Sequence, residues 1–393
     1  MSMTLDDFYF LLTKKGQQLL AEAPPITPDN HLQVATQLRQ QVKPALAQAI
    51  IETVLLRQEA AVKFRRADKM YFSREALEQS SSEIVSTHRA RRFMRAGIER
   101  VADLGCGIGG DSLALAATME VMGVEWNPVR LAMAQENVRV YGHGMNFRPL
   151  QADLLELTPL PVQAAYFDPG RRDENGRRLT SVHQYRPPLS LIDKWQTWIG
   201  GTAVKISPGV DYDELPEDAE IEFISVQGEV KEGVLWFGEL RSRVARRATL
   251  LPSGETLTDD EMPDEPIAVT EPREYLYEPD KAVIRAHLVE ALAGQLAAAK
   301  LDEEIAYLTA DSFQPTSFAR CFAIADWFPF QLKRLRHYLR ERGIGQVTIK
   351  KRGSPLEPES LQHQLRLKGE GKCILFLTHV GGEAAVLIGQ AVT

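Results

Sequence analysis

The 393-residue sequence predicts an α/β fold: a mostly parallel sheet with helices on both faces, preceded by a helical extension and followed by a smaller α+β unit. Three observations carry this. From Arg100 to about Phe237 short apolar runs alternate with helical stretches, the pattern of consecutive βαβ units. One of these runs ends in a glycine-rich turn that leads straight into a helix. The chain is also longer than the roughly 250–300 residues at which a single core stops growing, so two or three domains are expected.

Residues 1–92 read as a helical extension. Val34, Leu38, Val42, Leu46, Ile50 and Val54 advance by four and form one apolar helix face. Pro24, Pro25 and Pro28 interrupt the chain before it, and Ser73 is placed to cap a helix through REALEQ. SSEIVSTHRARRFMR is a further helix, ending in a basic cluster of Arg89, Arg91, Arg92 and Arg95. Within residues 93–250, VADLG, EVMGVE, QAAYFD and GTAVKIS are buried strands, while LALAATM, PVRLAMAQENVRVYG and SLIDKWQTWIG are the helices between them. AEIEFISVQG and GVLWFGEL form an antiparallel hairpin closing the sheet. Residues 251–304 read as a linker, whose first part (251–272) is rich in Pro, Asp, Glu and Thr, and a long helix, DKAVIRAHLVEALAGQLAA. Residues 305–393 alternate again: a strand through ARCFAIADWF, a basic helix, the strand QVTIKKRG, a second helix, and a closing hairpin.

No run of about 18 apolar residues is present, so no membrane span is expected. The acidic N-terminus lacks the basic head of a secretory leader, and Cys106, Cys321 and Cys373 are scattered without metal-ligand spacing. Both point to a cytoplasmic protein without disulfides. The net charge is −7, yet residues 331–372 carry 11 Lys/Arg against four Asp/Glu. That local excess matters more for a polyanionic partner than the sum.

The chemistry lies in VADLGCGIGGDS, residues 101–112. Gly105, Gly107 and Gly109 allow a tight turn and close approach of a ligand to the backbone. Gly105, Gly107 and Gly110 also satisfy a dinucleotide G-x-G-x-x-G, so the loop alone leaves that reading open. Asp103, two residues earlier, would repel a pyrophosphate but suits the ammonium of an amino-acid tail, such as that of S-adenosylmethionine (SAM). Glu125 ends the second strand where a ribose diol is read, and Asp153 follows the third where an adenine amino group needs an acceptor. Trp126 and Phe147 are candidates to flank the adenine, and Cys106 lies inside the loop.

On these residues the sequence resembles the class I SAM-dependent methyltransferases over roughly residues 95–240. Asp103 with Gly105, Gly107 and Gly109 looks like the first motif of that family, Glu125 the second, Asp153 the third and Phe167-Asp168-Pro169 the fourth. The resemblance implies a Rossmann-like, seven-stranded core that binds SAM and needs no metal. It implies that Asp168 with Pro169 and Gly170 orients the methyl acceptor, with Asp168 also reaching the cofactor. Amine methylators of the family carry a second proline and an aromatic where this chain has Gly170 and Arg171. Carbon-5 pyrimidine methylation is disfavoured, since it needs a thiolate that the three cysteines do not place at the site.

Arg171, Arg172, Arg177 and Arg178 follow directly. They can seat a phosphate backbone, or pair with Asp173 and Glu174 as a solvated flap. From about residue 305, LKRLRHYLRERGIGQVTIKKRG and GKCILFLTHVGGEAAVLIG resemble the THUMP-like domain that follows a methyltransferase core in a group of bacterial proteins, which implies RNA binding. Lys333, Arg334, Arg336, Arg340 and Arg342 crowd one short helix, and Lys350 and Lys351 with Arg352 end the next strand, clusters that attract phosphates; an ordinary basic face, or one docked on the acidic remainder of the chain, is the alternative. The N-terminal helices are similar to the extension of trimethylguanosine-synthase-type RNA methyltransferases. Lys63, Arg65, Arg66 and Lys69 with Phe64, Tyr71 and Phe72 form either a base-stacking lid or core packing. The sequence thus predicts a SAM-dependent methyltransferase acting on tRNA or rRNA. A protein or small-molecule methyltransferase, a non-catalytic RNA-binding protein retaining SAM, and a nicotinamide oxidoreductase are its rivals. Oligomeric state is not legible.

Overall fold

A computed structural model describes residues 3–170, 177, 179 and 181–392. The chain divides into two compact units, residues 1–220 with 232–243, and residues 221–231 with 244–393.

The first unit opens with helices α1 (Leu5–Leu12), α2 (Lys14–Glu22), α3 (His31–Arg39), α4 (Pro44–Ala60), α5 (Arg74–Gln79) and α6 (Glu83–Arg95). The single helix face expected over residues 34–54 is two helices, because Pro44 occupies the first turn of α4 and Lys43 before it is extended. Ser73 caps α5 as expected, its hydroxyl accepting from the Ala76 amide at 3.3 Å. Phe64, Tyr71 and Phe72 are buried, so the mixed aromatic-basic segment is core packing and not a stacking lid. The buried amide of Asn137 pins this segment in place. It accepts from Tyr71 N–H at 2.8 Å and donates to the carbonyls of Tyr71 (2.8 Å) and Ile108 (2.9 Å).

Seven strands follow: β1 (Arg100–Leu104), β2 (Glu120–Glu125), β3 (Phe147–Gln151), β4 (Ala164–Phe167), β5 (Gly201–Ile206), β6 (Glu220–Val226) and β7 (Glu229–Gly238). In the first unit the order is β3-β2-β1-β4-β5-β7, parallel throughout except for β7, which runs antiparallel to β5. Gln227 and Gly228, both with positive φ, turn β6 into β7, a hairpin geometry that glycine favours. The intervening helices are α7 (Ser112–Leu115), α8 (Pro128–Val140) and α9 (Leu191–Trp195); α7 and α9 are shorter than their apolar patterns suggest. The order reverses between β1 and β4, so the crevice that this topology makes for a ligand opens at their carboxyl ends.

The second unit holds β8 (Arg246–Leu251) and β9 (Glu255–Thr258), with β8 parallel to β6 and antiparallel to β9. Residues 251–272 are therefore not a bare linker: β9 and a capping box between Thr258 and Glu261 lie inside them. Four strand residues after a tight turn leave too short a pattern to detect. β10 (Tyr275–Pro279), α10 (Lys281–Arg285) and α11 (Val289–Leu296) come next. The expected single helix breaks at His287, whose φ of 54° closes α10 while Leu288 N–H donates to Val283 O. No Gly or Pro marks that stop.

The unit continues with β11 (Ala299–Lys300), β12 (Leu308–Ala310), β13 (Ala319–Pro329), α12 (Leu332–Glu341), β14 (Ile344–Lys351), α13 (Pro358–Leu365), β15 (Gly371–Val380) and β16 (Glu383–Ala391). These strands form a sheet in the order β11-β12-β10-β13-β16-β15-β14. It begins before residue 305, because Leu276 and Leu301 are part of its core. Strand alternation divides β15 between two cores: Leu375 and Leu377 pack with Leu335 and Leu339 of α12, while Phe376 packs with Tyr307 and Phe322. Among the described residues no helix is long and apolar enough to cross a membrane.

Candidate functional site

A cleft of about 1040 Å³ opens at the carboxyl ends of β1 and β4. Asp103, Gly105, Cys106, Gly107, Glu125, Trp126, Asp153, Asp168 and Gly170, all singled out from the sequence, line it. Gly105, Gly107 and Gly109 all have left-handed φ between 54° and 79°. Gly109 does not face the cleft. A Cβ there would stand 3.1 Å from the Ala134 backbone of α8, so this glycine lets the loop close on the helix. A Cβ on Gly105 would meet the Asp168 carbonyl at 3.4 Å.

The carboxylates do different work. Glu125 at the end of β2 braces the loop: one oxygen accepts from Gly107 N–H at 3.0 Å and the other from Asn127 N–H at 2.9 Å. Burial pushes its carboxyl up, and the backbone donors pull it partly back. Asp103 is 1% exposed and accepts from the Ser112 hydroxyl. Burial, then the neighbouring Asp111, push it up to about 8. Asp153 is exposed on the rim and accepts from Leu155 N–H at 2.9 Å. Trp126 stands 67% exposed, whereas Phe147 is buried beneath Gly123 and is not part of the lining. Cys106 is buried with its thiol pushed well up by desolvation, which makes a nucleophilic role there unfavourable.

Asp168 follows β4, its side chain 19% exposed, and its carboxylate meets the Lys205 ammonium at 2.7 Å. Pro169 is buried behind it. Gly170 explains the missing second proline. Its N–H donates to Arg186 O at 2.8 Å and its carbonyl accepts from Arg186 N–H at 3.1 Å, and a Cβ would stand 2.9 Å from the Arg186 carbonyl. Proline could not donate there. This backbone pair brings Arg186, Pro187 and Pro188 into the cleft wall. Arg177 is exposed, while Arg171, Arg172 and Arg178 lie outside the described residues.

Three features were not found in the sequence. Lys205 is 2% exposed on β5; a lysine inside the otherwise apolar run GTAVKIS was the available signal. Arg89 is also 2% exposed. It lies four residues from both Val85 and Phe93 on the buried face of α6, and is paired with Asp111 and Glu232. Burial opposes its charge, but Asp111, Tyr166 and Asp168 together more than offset this and hold the guanidinium above its ordinary value. Glu232 also accepts from Ser81 at 2.8 Å. The third is the cleft wall made by α5, from Arg74 to Ser80.

In the second unit, Lys350 is paired with Glu278 and lies 5.2 Å from the centre of the Phe322 ring, while Lys351 pairs with Glu357 at 2.6 Å. Lys350 is thus spoken for within its own unit. Lys333, Arg334, Arg340 and Arg342 are exposed on or just after α12.

Comparison with known proteins agrees with this geometry. Residues 98–180 match the model of the RNA cap guanine-N2 methyltransferase family, residues 319–391 that of THUMP-like domains, and residues 4–60 a domain of unknown function. Two Mycobacterium tuberculosis proteins, from strains CDC 1551 and H37Rv, are each 36% identical over 345 residues, covering 84% of this chain and 92% of theirs. Both are named uncharacterized S-adenosylmethionine-dependent methyltransferases. The crystal structure of a candidate methyltransferase from Porphyromonas gingivalis W83 shares the fold, with a TM-score of 0.76 at 21% identity over 99% of this chain and 98% of that one. At 36% identity to the Mycobacterium tuberculosis proteins over most of both chains, the chain belongs to the S-adenosylmethionine-dependent methyltransferases.

Proposed function

We propose that this enzyme methylates RNA in the cytoplasm, a tRNA or an rRNA, using the cleft of the first unit for SAM and the acceptor base. The observation that carries the RNA assignment is the THUMP-like unit with its exposed basic helix α12. The match of the core to a family of RNA guanine methyltransferases points the same way.

The cleft residues fit SAM. The left-handed Gly105 and Gly107 add no side chain of their own to the cofactor side of the loop, and the flanking carboxylates suit an ammonium and hydroxyl groups. When bound, SAM supplies an electrophilic methyl group on sulfur. In this reading Asp103 receives the amino-acid ammonium, Glu125 accepts from ribose hydroxyls, and Asp153 accepts from the adenine amino group. Trp126 offers its exposed ring to the adenine face. Asp168 accepts a hydrogen bond from the acceptor group and aligns it for in-line displacement, with Gly170 fixing the turn behind it. No residue in this scheme calls for a metal. Exposed Lys333, Arg334 and Arg340, with Arg177 beside the cleft loop, contact phosphates without reading sequence.

Radiolabelled methyl transfer from SAM into a cell extract, followed by separate RNase and protease digestion, tests the assignment. Loss of label with RNase is expected. Label removed by protease instead would replace RNA with a protein acceptor. Absence of label, with SAM bound, would favour a non-catalytic role.

A further inference from the structure

We propose that Lys205 is a positioning residue that sets the charge facing the transferred methyl group, tying the acceptor-side carboxylate of Asp168 to the carbonyl end of α5. The proposal rests on the reading that Asp168 faces that methyl group.

Lys205 is the penultimate residue of β5, and its side chain is buried. It donates to Asp168 Oδ2 at 2.7 Å and to the Gln79 carbonyl at 2.9 Å. Gln79 ends α5, where the last carbonyls lack intrahelical donors. A second lysine serves its neighbours: Lys63 Nζ donates to the carbonyls of Leu77 (2.6 Å), Glu78 (3.2 Å) and Ser80 (2.9 Å). Four successive carbonyls at this wall of the cleft are therefore each held by an ammonium. Of the two, it is the Lys205 ammonium that bridges from this wall to Asp168 on the acceptor side.

A lysine deep in a strand is costly unless it is paired. Here the pairing makes Asp168 and Lys205 a nearly neutral unit. An isolated carboxylate would attract the sulfonium of SAM strongly, and would distinguish it from the uncharged thioether left after the methyl has gone. Compensation by Lys205 evens out those two affinities. The same ammonium fixes the Asp168 carboxylate in orientation, so that it accepts a hydrogen bond from the acceptor.

The test needs no acceptor. Affinities of the full-length protein for SAM and for S-adenosylhomocysteine are measured by titration calorimetry, and the ratio of the two is the readout. Lys205→Gln retains hydrogen bonding but removes the charge, and is expected to raise the preference for SAM by about threefold or more. Lys205→Arg should leave the ratio near that of the native protein. Asp168→Asn, which leaves the ammonium uncompensated, should lower it by a similar factor. Equal weakening of both ligands by Lys205→Gln, with the ratio unchanged, would overturn the proposal and leave Lys205 a purely structural residue. If Lys205→Gln alone does not fold, the double variant Lys205→Gln/Asp168→Asn, which buries no lone charge, is compared with Asp168→Asn: a higher preference for SAM in the double variant is expected, and an equal one would overturn the assignment to Lys205. A ratio untouched by Asp168→Asn would remove the reading that Asp168 faces the methyl group, and the proposal with it. A ratio moved by Asp168→Asn but not by Lys205→Gln would remove only the assignment to Lys205.

Discussion

The charges beneath the cleft and those on α12 obey different physics. Arg89, Asp103, Glu232 and Lys205 are each at most 2% exposed, and each has a polar partner among the side chains around it. Lys333, Arg334, Arg340 and Arg342, on or just after α12, stand in water, and two of them lie over aromatic rings: Arg334 is 4.3 Å from the centre of Phe328 and Arg342 is 3.7 Å from that of Tyr338. A buried network fails as a unit when one member is removed, because the others are left without compensation. A solvated face loses its contribution one charge at a time, and salt screens what remains.

The largest effect should come from Arg89→Met. It strands the carboxylates of Asp111 and Glu232, and should cost about 3–5 kcal/mol in urea unfolding. If the loss is below about 1 kcal/mol, the network is not a unit and the contrast with α12 disappears.

Asp103→Asn should act in two opposite directions. Its carboxyl is raised to about 8 in the folded protein, against about 4 when unfolded. The folded state therefore holds a proton that the unfolded state has lost between those values. Asp103 contributes its full stability below about pH 4, and that contribution is lost as the pH rises towards 8. Thermal unfolding of Asp103→Asn should consequently show a gain over the native protein that grows across this window. At pH 8, where much of the carboxyl is ionised, affinity for SAM should fall about tenfold, since a charged partner for the ammonium is lost, and the loss should shrink towards pH 6. In the native protein, lowering the pH from 8 to 6 should weaken SAM binding through the same proton. A binding constant that is flat over that range would mean that Asp103 does not meet the ammonium.

On the solvated face, Lys333→Glu with Arg340→Glu should leave SAM affinity unchanged. It should reduce the salt slope of RNA binding by about 0.7–0.9 for each phosphate that is no longer neutralised, measured by filter binding at several salt concentrations. An unchanged slope would move the RNA surface elsewhere. Lys351→Ala, which breaks an exposed pair with Glu357, marks the small end of the scale, with a change in stability within about 1 kcal/mol.

The contrast also governs what could be read beforehand. Strands and the glycine loop announce themselves through apolar runs and spacing, so the α/β core, the cleft and its lining carboxylates were legible. The apolar alternation around α12 and β15 was legible for the same reason. Partnerships were not. Nothing in GTAVKIS says that its lysine meets Asp168, 37 residues earlier, and nothing in THRARRF says which arginine turns inward. Lys350 shows the converse: a basic run suggests solvent, but a single glutamate on another strand captures one of its members. Breaks without Gly or Pro, as at His287, leave no local trace because tertiary packing decides them.

The backbone pair between Gly170 and Arg186 has an evolutionary consequence. The fifteen residues between these two are stapled at their base by two hydrogen bonds, so their ends stay fixed whatever lies between. Doubling the length of such an insert costs only about 0.6 kcal/mol in closure entropy. A change in the length or charge of that insert would therefore leave Asp168 and the cofactor loop in their places, so acceptor preference can drift without remaking the cofactor site.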